Sequence, residues 1–358
     1  MHALLAELVR TNSVNPSLTA GAPGEGPIAA ILEREFADSR FEVHRLEETP
    51  GRPSLVIRRP GSGKGRSLML NAHMDTVGVE TMAEPFSGRV EGGRLYGRGA
   101  YDMKGSLAAA VAAMKALPPL AGDVYLAAVA DEEFGSLGTE EVLRHYRPDA
   151  AIVTEPTGLD LCVAHKGFAW FELTVEGRAA HGSRPDLGVD ANLAAAAALQ
   201  QIAALSAELL RRAPHPLLGP PSLHVATLRG GTGWSTYAAA CTIQMERRLV
   251  PGETVEGALA ELPPGTRLVF ARPFYETKPN SELVELARRA LPAARITGQT
   301  PWFDSALYAA AGVETLVLGP AGEGAHADVE WVDLQSVEQA AAAYVQIATE
   351  FCQTEGHR

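Results

Sequence analysis

Positive charge is in deficit: 31 Lys and Arg face 43 Asp and Glu, a formal charge of -12 over 358 residues. A face built for nucleic acid or an anionic membrane needs a basic surplus, so neither partner is expected. Cysteine is scarce and odd in number (Cys162, Cys241 and Cys352), with no CxxC pairing, so neither a disulfide framework nor a cysteine zinc site is indicated. Long apolar runs are missing too. The longest, "ANLAAAAALQQIAALSAELL", is Ala-rich and broken by Gln200, Gln201 and Glu208, as in a soluble packed helix rather than a membrane span. The opening "MHALLAELVRTNSVNP" carries Glu7 and Arg10 inside a helical apolar pattern, without the basic start or cleavage site of a signal peptide. A reducing cytoplasm is the expected compartment.

Three familiar signatures are absent on inspection. "PGSGKGRS" has Gly65 after Lys64 where a phosphate loop needs Ser or Thr, and it precedes a strand instead of opening a helix. "YGRGAYD" puts Asp102 where a dinucleotide fingerprint needs its third glycine, and a carboxylate there would repel a pyrophosphate. No G-x-S-x-G occurs, so a serine-hydrolase elbow has no nucleophile.

What is present is alternation. Apolar strands ("LMLNAH", "VYLAAVA", "AAIVTEP", "VETLVLGP") alternate with helices near 26–37, at "KGSLAAAVAAMKAL" and at "SVEQAAAAYVQIATEFCQ". Continuous apolar strands between helices predict a mostly parallel α/β sheet covered on both faces, with ligands gathering beyond the strand C-terminal ends. The middle differs. "GFAWFELTVEG" and "AAACTIQMERRLVPGE" alternate with period 2, and the order strand–helix–strand–strand–helix–strand predicts a small α+β sandwich inserted at 166–277. The remaining parts, 1–165 and 278–358, form the outer domain.

Ionisable residues collect at the predicted strand ends: His73 and Asp75, Glu132 and Glu133, Glu155, and His326 after "LVLGPAGEGA", with Asp102 just before a helix. Burying so many carboxylates together is costly unless cations neutralise them. Divalent ions are the economical answer, and a mix of imidazole and carboxylate suits zinc, cobalt or manganese. There are ligands enough for two ions about 3.5–4 Å apart. Each residue alone has a plainer reading. Asp102 could cap a helix, Glu132 and Glu133 could favour a helix N-terminus, and His326 could be a solvated loop histidine. His73 and Asp75 resist that treatment, because side chains at i and i+2 of a strand share a face, where the carboxylate could accept the spare imidazole N–H.

Taken in order, "HMDTV", "GRGAYDMKGSLAA", "ADEEFGSLGT", "VTEPT", "GRAAHGSRPDLGVDA" and "GPAGEGAHADVEWV" resemble the M20 metallopeptidase and deacylase family, over most of the chain. The lean is toward its acetylornithine deacetylase and succinyl-diaminopimelate desuccinylase members. The resemblance implies a zinc-peptidase-like catalytic domain with a ferredoxin-like lid, through which the chain would form a homodimer. It implies that Asp102 bridges two metals, one held by His73 and Glu155 and the other by Glu133 and His326, with Asp75 orienting His73. A metal-bridged hydroxide would be the nucleophile and Glu132 the general base. His181 would supply an oxyanion donor to the partner subunit, and Arg248 of "MERRLVPGE" would grip a substrate carboxylate, with Arg247 as its outward neighbour.

One departure concerns the lid. Where family members often carry Gly-Gly-Thr-x-x-Asn-x-x-Pro, "GGTGWSTYAAAC" has Ser235 at the Asn position and Ala238 at the Pro position. Trp234, Ser235 and Thr236 then either bind substrate differently or are structural. The expected activity is amide hydrolysis of an N-acyl amino acid. Alternatives on the same centre are a dipeptidase or carboxypeptidase acting on short peptides, and a deacylase of a carrier-linked amino acid. A non-catalytic binding protein would have lost ligands or base, and none is lost here.

Overall fold

A computed structural model describes residues 1–353. The chain divides into two compact units. The first holds Met1–Val163, Thr277–Thr297 and the chain from Phe303 onward; the second holds Ala164–Glu276 and Gly298–Trp302. The pentapeptide 298–302 therefore lies with the second unit, although the sequence places it in the outer domain.

The first unit is built on a mixed sheet. Its centre is parallel, Val124–Val129 beside Leu68–His73 beside Ala150–Val153 beside Glu314–Val317. These strands are almost wholly buried, which is why they read as uninterrupted apolar runs. On either side the pairing turns antiparallel, through Ser54–Arg59 and Glu42–Leu46 at one side and Leu161–His165 at the other. Leu68, Leu70 and Ala72 face a core shared with helices Gly105–Ala116 and Leu334–Gln353. The alternate residues face the other way, where the Asn71 amide donates to Thr139 Oγ1 and Tyr308 Oη, both at 3.1 Å, from helices Leu137–His145 and Ser305–Ala310. His73 ends this strand at the C-terminal edge of the parallel centre.

A second sheet in this unit left no trace in the sequence pattern. Gly322–Glu323, Trp331–Asp333, Arg94–Tyr96 and Arg89–Glu91 pair antiparallel in that order. It joins the segment leading to Asp102 to the segment that carries His326.

The second unit is the βαββαβ sandwich: Gly167–Glu176, Ala191–Leu209, Ser222–Gly230, Ala240–Leu249, Val255–Ala260 and Arg267–Arg272. Its antiparallel sheet runs 222–230, 240–249, 167–176, 267–272. Period-2 burial in 240–249 puts Cys241, Ile243, Met245 and Leu249 against Ala191, Ala195, Ile202 and Leu209 of the long helix. Asp190 caps that helix, its carboxylate accepting from the amides of Asn192 and Leu193 at 2.9 and 3.3 Å. Among the described residues no helix is long and apolar enough to cross a membrane, and none of the three buried cysteines is in a disulfide.

Candidate metal centre and active site

Four of the seven ionisable residues singled out above, His73, Glu133, Glu155 and His326, gather around a fifth, Asp102. His73 Nε2 lies 3.1 Å from Asp102 Oδ1 and 3.7 Å from Glu155 Oε1. His326 Nε2 lies 3.4 Å from Asp102 Oδ2 and 3.0 Å from Glu133 Oε2. The two oxygens of one carboxylate thus face two different histidines, and each histidine has a glutamate of its own. Ligand atoms of His73, Asp102 and Glu133 lie within 4.8 Å of one another, as do those of His73, Glu132 and Glu155. Asp102 does not cap the following helix, which starts at Gly105; the backbone at Asp102 and Met103 leaves helical geometry (φ/ψ −114/93° and −134/34°).

Asp75 departs from expectation. His73 Nδ1 meets the main-chain oxygen of Asp75 at 2.9 Å, while the Asp75 carboxylate stays 3.6 Å from the ring. That carboxylate is engaged elsewhere. It accepts from the amides of Glu132 and Glu133, both at 3.2 Å, and from Asn15 Nδ2 at 2.7 Å. The tautomer-fixing acceptor is therefore a carbonyl, and the acid holds the turn that presents Glu132 and Glu133.

Behind this turn is a buried polar cluster that the sequence did not reveal. Asn15 Nδ2 also donates to Asp131 Oδ1 at 3.0 Å, and Arg52 donates to Asp131 at 2.8 Å, to Asn15 Oδ1 at 3.1 Å and to both oxygens of Glu25.

Charge explains the titration of the group. Burial opposes protonation of His73, but Glu155 and Asp102 outweigh it and hold its pKa well above the ordinary value. Burial and the neighbouring carboxylates, against the opposing charge of His73, push Glu132 and Glu155 well above the carboxylate range, and burial raises Asp75 to about 7. Burial works the same way on Asp102, yet His326 and His73 overcome it and keep that acid ionised. Hydrogen bonds to Asp102 and Glu133 lift His326 to about 10. Carboxylates outnumber imidazoles in the cluster, which is what raises both histidines. Glu133 Oε1 is buried without a hydrogen-bond partner, a donor atom of the kind a cation would take, so the residues fit divalent metal.

The remaining expected site residues belong to the second unit. His181 is exposed in a loop, its Nδ1 2.8 Å from Ser183 Oγ. Ser235 lies on the adjoining loop, where its carbonyl accepts from Gly182 N at 2.7 Å and Thr236 bridges to His181. Trp234 beside it is fully exposed. Arg248 is partly exposed, donates to Glu246 at 2.7 Å and stacks 5.4 Å from the Phe168 ring. Arg247 is not an outward neighbour. It is 1% exposed and paired with Glu253 and Glu261, because successive strand residues take opposite faces and its face is covered.

Imidazoles and carboxylates converging at the C-terminal ends of parallel strands define a metal-dependent hydrolase. The sequence of residues 69–350 matches peptidase family M20/M25/M40, and the chain belongs to that family. A curated relative, acetylornithine deacetylase of Pectobacterium carotovorum subsp. carotovorum (strain PC1), is 29% identical over 98% of this chain and 97% of its own length. Among solved structures, a tripeptidase from Staphylococcus aureus subsp. aureus Mu50 superposes with a TM-score of 0.80 at 19% identity, covering 98% of both chains. A dinuclear metal binding peptidase of the M20 family from Bacillus subtilis superposes at 0.70 and 15% identity, covering 98% of this chain and 97% of its own. The chain is thus a metal-dependent hydrolase of amide bonds.

Proposed function

We propose that this chain is a cytoplasmic homodimer that removes the acyl group from an N-acyl amino acid. Two divalent cations, zinc foremost and cobalt or manganese acceptable, would be held by His73 and Glu155, by Glu133 and His326, and by Asp102 between them. The observation that carries this reading is the placing of the two Asp102 oxygens toward separate histidines, 3.1 and 3.4 Å away. When bound, such ions supply Lewis acidity to a substrate carbonyl and to a water.

Glu132 is the proton carrier. It takes the proton from the attacking water and returns it to the departing amine, a role worth about 10²–10⁴ in rate. Asp75 fixes the amide of Glu132, so the base enters the reaction already oriented. Arg248 grips the substrate carboxylate with a planar fork that Lys could not reproduce. His181 donates to the developing oxyanion of the partner subunit, and Ser235 lines the substrate beside it.

A deacylase is favoured over a peptidase by the likeness to acetylornithine deacetylase over nearly the whole chain. Initial rates of the zinc- or cobalt-loaded protein on N-acetylornithine, other N-acetyl amino acids, N-succinyl-diaminopimelate and simple dipeptides test it. A preference of about 100-fold, or about 2.7 kcal/mol in transition-state binding, for one N-acyl amino acid is expected. Faster dipeptide cleavage would overturn the deacylase reading in favour of a peptidase.

A further inference from the structure

Glu330 and Arg98 are 2% exposed each and belong to no role assigned above. Glu330 stands immediately before the strand Trp331–Asp333, which pairs with Arg94–Tyr96 in a register that sets Trp331 opposite Tyr96. The next step of that ladder is a bond from Gly97 N to Glu330 O at 3.1 Å. The small sheet thereby delivers the Glu330 carboxylate beneath the loop that leads into Asp102.

There it is saturated with donors. Oε1 accepts from the amides of Tyr101 at 2.9 Å and Asp102 at 3.0 Å, and Oε2 from Gly99 N at 3.0 Å and Arg98 Nη1 at 2.8 Å. Three amide donors, from Gly99, Tyr101 and Asp102, wrapped around one carboxylate fix the path of the backbone through Asp102. Arg98 has two further bonds. Its Nε donates to Gly78 O at 2.9 Å, and its Nη2 to Ala327 O at 3.1 Å, one residue beyond His326. One buried ion pair therefore ties down the loop of Asp102 and the loop of His326 together.

Burying a charge pair is a poor way to gain stability, since desolvation offsets most of the attraction. Its value here lies in geometry. His326 sits on a backbone with φ of 62°, exposed over 55% of its side chain, and has little packing of its own to hold it. Asp102 must keep its two oxygens apart, one toward each histidine.

We propose that the Glu330–Arg98 pair is a positioning device for the metal centre, setting Asp102 and His326 at the spacing that the second cation, the one between Glu133 and His326, requires. This rests on the metal-binding reading above. It goes beyond that reading in assigning to two residues outside the ligand set the power to hold one of the two ions.

The test is calorimetric titration of the metal-stripped, full-length protein with zinc alone and with cobalt alone, wild type beside Glu330→Gln and Arg98→Lys. Glu330→Gln keeps one acceptor oxygen but offers N–H groups where the amides and Arg98 need the other. Arg98→Lys keeps the charge but cannot reach Glu330, Gly78 and Ala327 at once. In both, the second ion, which uses both Asp102 and His326, is expected to bind about 10–100-fold more weakly, and the first, which uses Asp102 alone of the two, to weaken by a much smaller factor. The visible spectrum of the cobalt forms should lose the contribution of one site only. If Glu330→Gln fails to fold, Arg98→Lys carries the comparison. Two ions bound with wild-type affinity in the variants would overturn the proposal. So would equal weakening of both ions alongside a matching fall in metal-free thermal stability, the mark of general damage. A wild-type protein that takes fewer than two ions would sink the metal-centre reading itself, and this inference with it, without reference to the variants.

Discussion

At Asp75 the carboxylate grips the amides of Glu132 and Glu133 in place of the imidazole of His73, and the two roles predict different mutants. Asp75→Asn has one oxygen for two amide donors and loses charge-assisted bonds worth about 1.5–3 kcal/mol. We expect kcat to fall about 10–100-fold with KM and metal content nearly unchanged, measured by steady-state kinetics beside metal analysis. An imidazole-orienting role would instead lower metal affinity. Glu132→Gln should cost about 10²–10⁴ in kcat while the protein keeps its metal, because the substitution removes proton transfer and not a ligand. Cys352 is a simpler case. Burial pushes its thiol up to about 12, so the neutral form persists in the folded protein, and alkylation at pH 8 should label it only after unfolding.

Among the elements, the apolar strands 68–73, 124–129 and 150–153 were legible because burial on both faces keeps them almost wholly apolar, with Asn71 the polar exception inside 68–73. The alternating strands 167–176 and 240–249 were legible because one face packs on a helix. The strands 89–91, 94–96, 322–323 and 331–333 were not. They are two or three residues long, and the pairing of 94–96 with 331–333 that joins the two hairpins crosses more than 200 positions, so no period marks them. The same distance hid Arg98 and Glu330 from each other. The inventory of ionisable strand ends, by contrast, could be read directly, since residue type and position were its whole content. The loop before Trp331 offers its own test. Gly324 has φ of +90°, and a Cβ there would lie 1.9 Å from Val329 O. Gly324→Ala should lower stability by about 1–3 kcal/mol, seen as a shifted denaturant midpoint.

In the molecule as a whole, every proposed metal ligand lies in the first unit, and His181, Ser235 and Arg248 lie in the second. If His181 serves the partner subunit, mixing inactive Glu132→Gln and His181→Ala proteins after subunit exchange should restore about a quarter of wild-type activity, as random pairing of a twofold dimer dictates. Activity from an isolated monomer would contradict it. Metal should also stabilise the first unit by mass action, about 2.7 kcal/mol at free metal of 100 times Kd, so chelation should lower the melting temperature and re-addition restore it. The order of the ligands along the chain has a consequence for synthesis. His73, Asp102, Glu133 and Glu155 leave the ribosome before the inserted unit, and His326 only after it. A nascent chain paused between them could hold one ion of the pair, and the complete centre could close only in a molecule whose second unit had already been made.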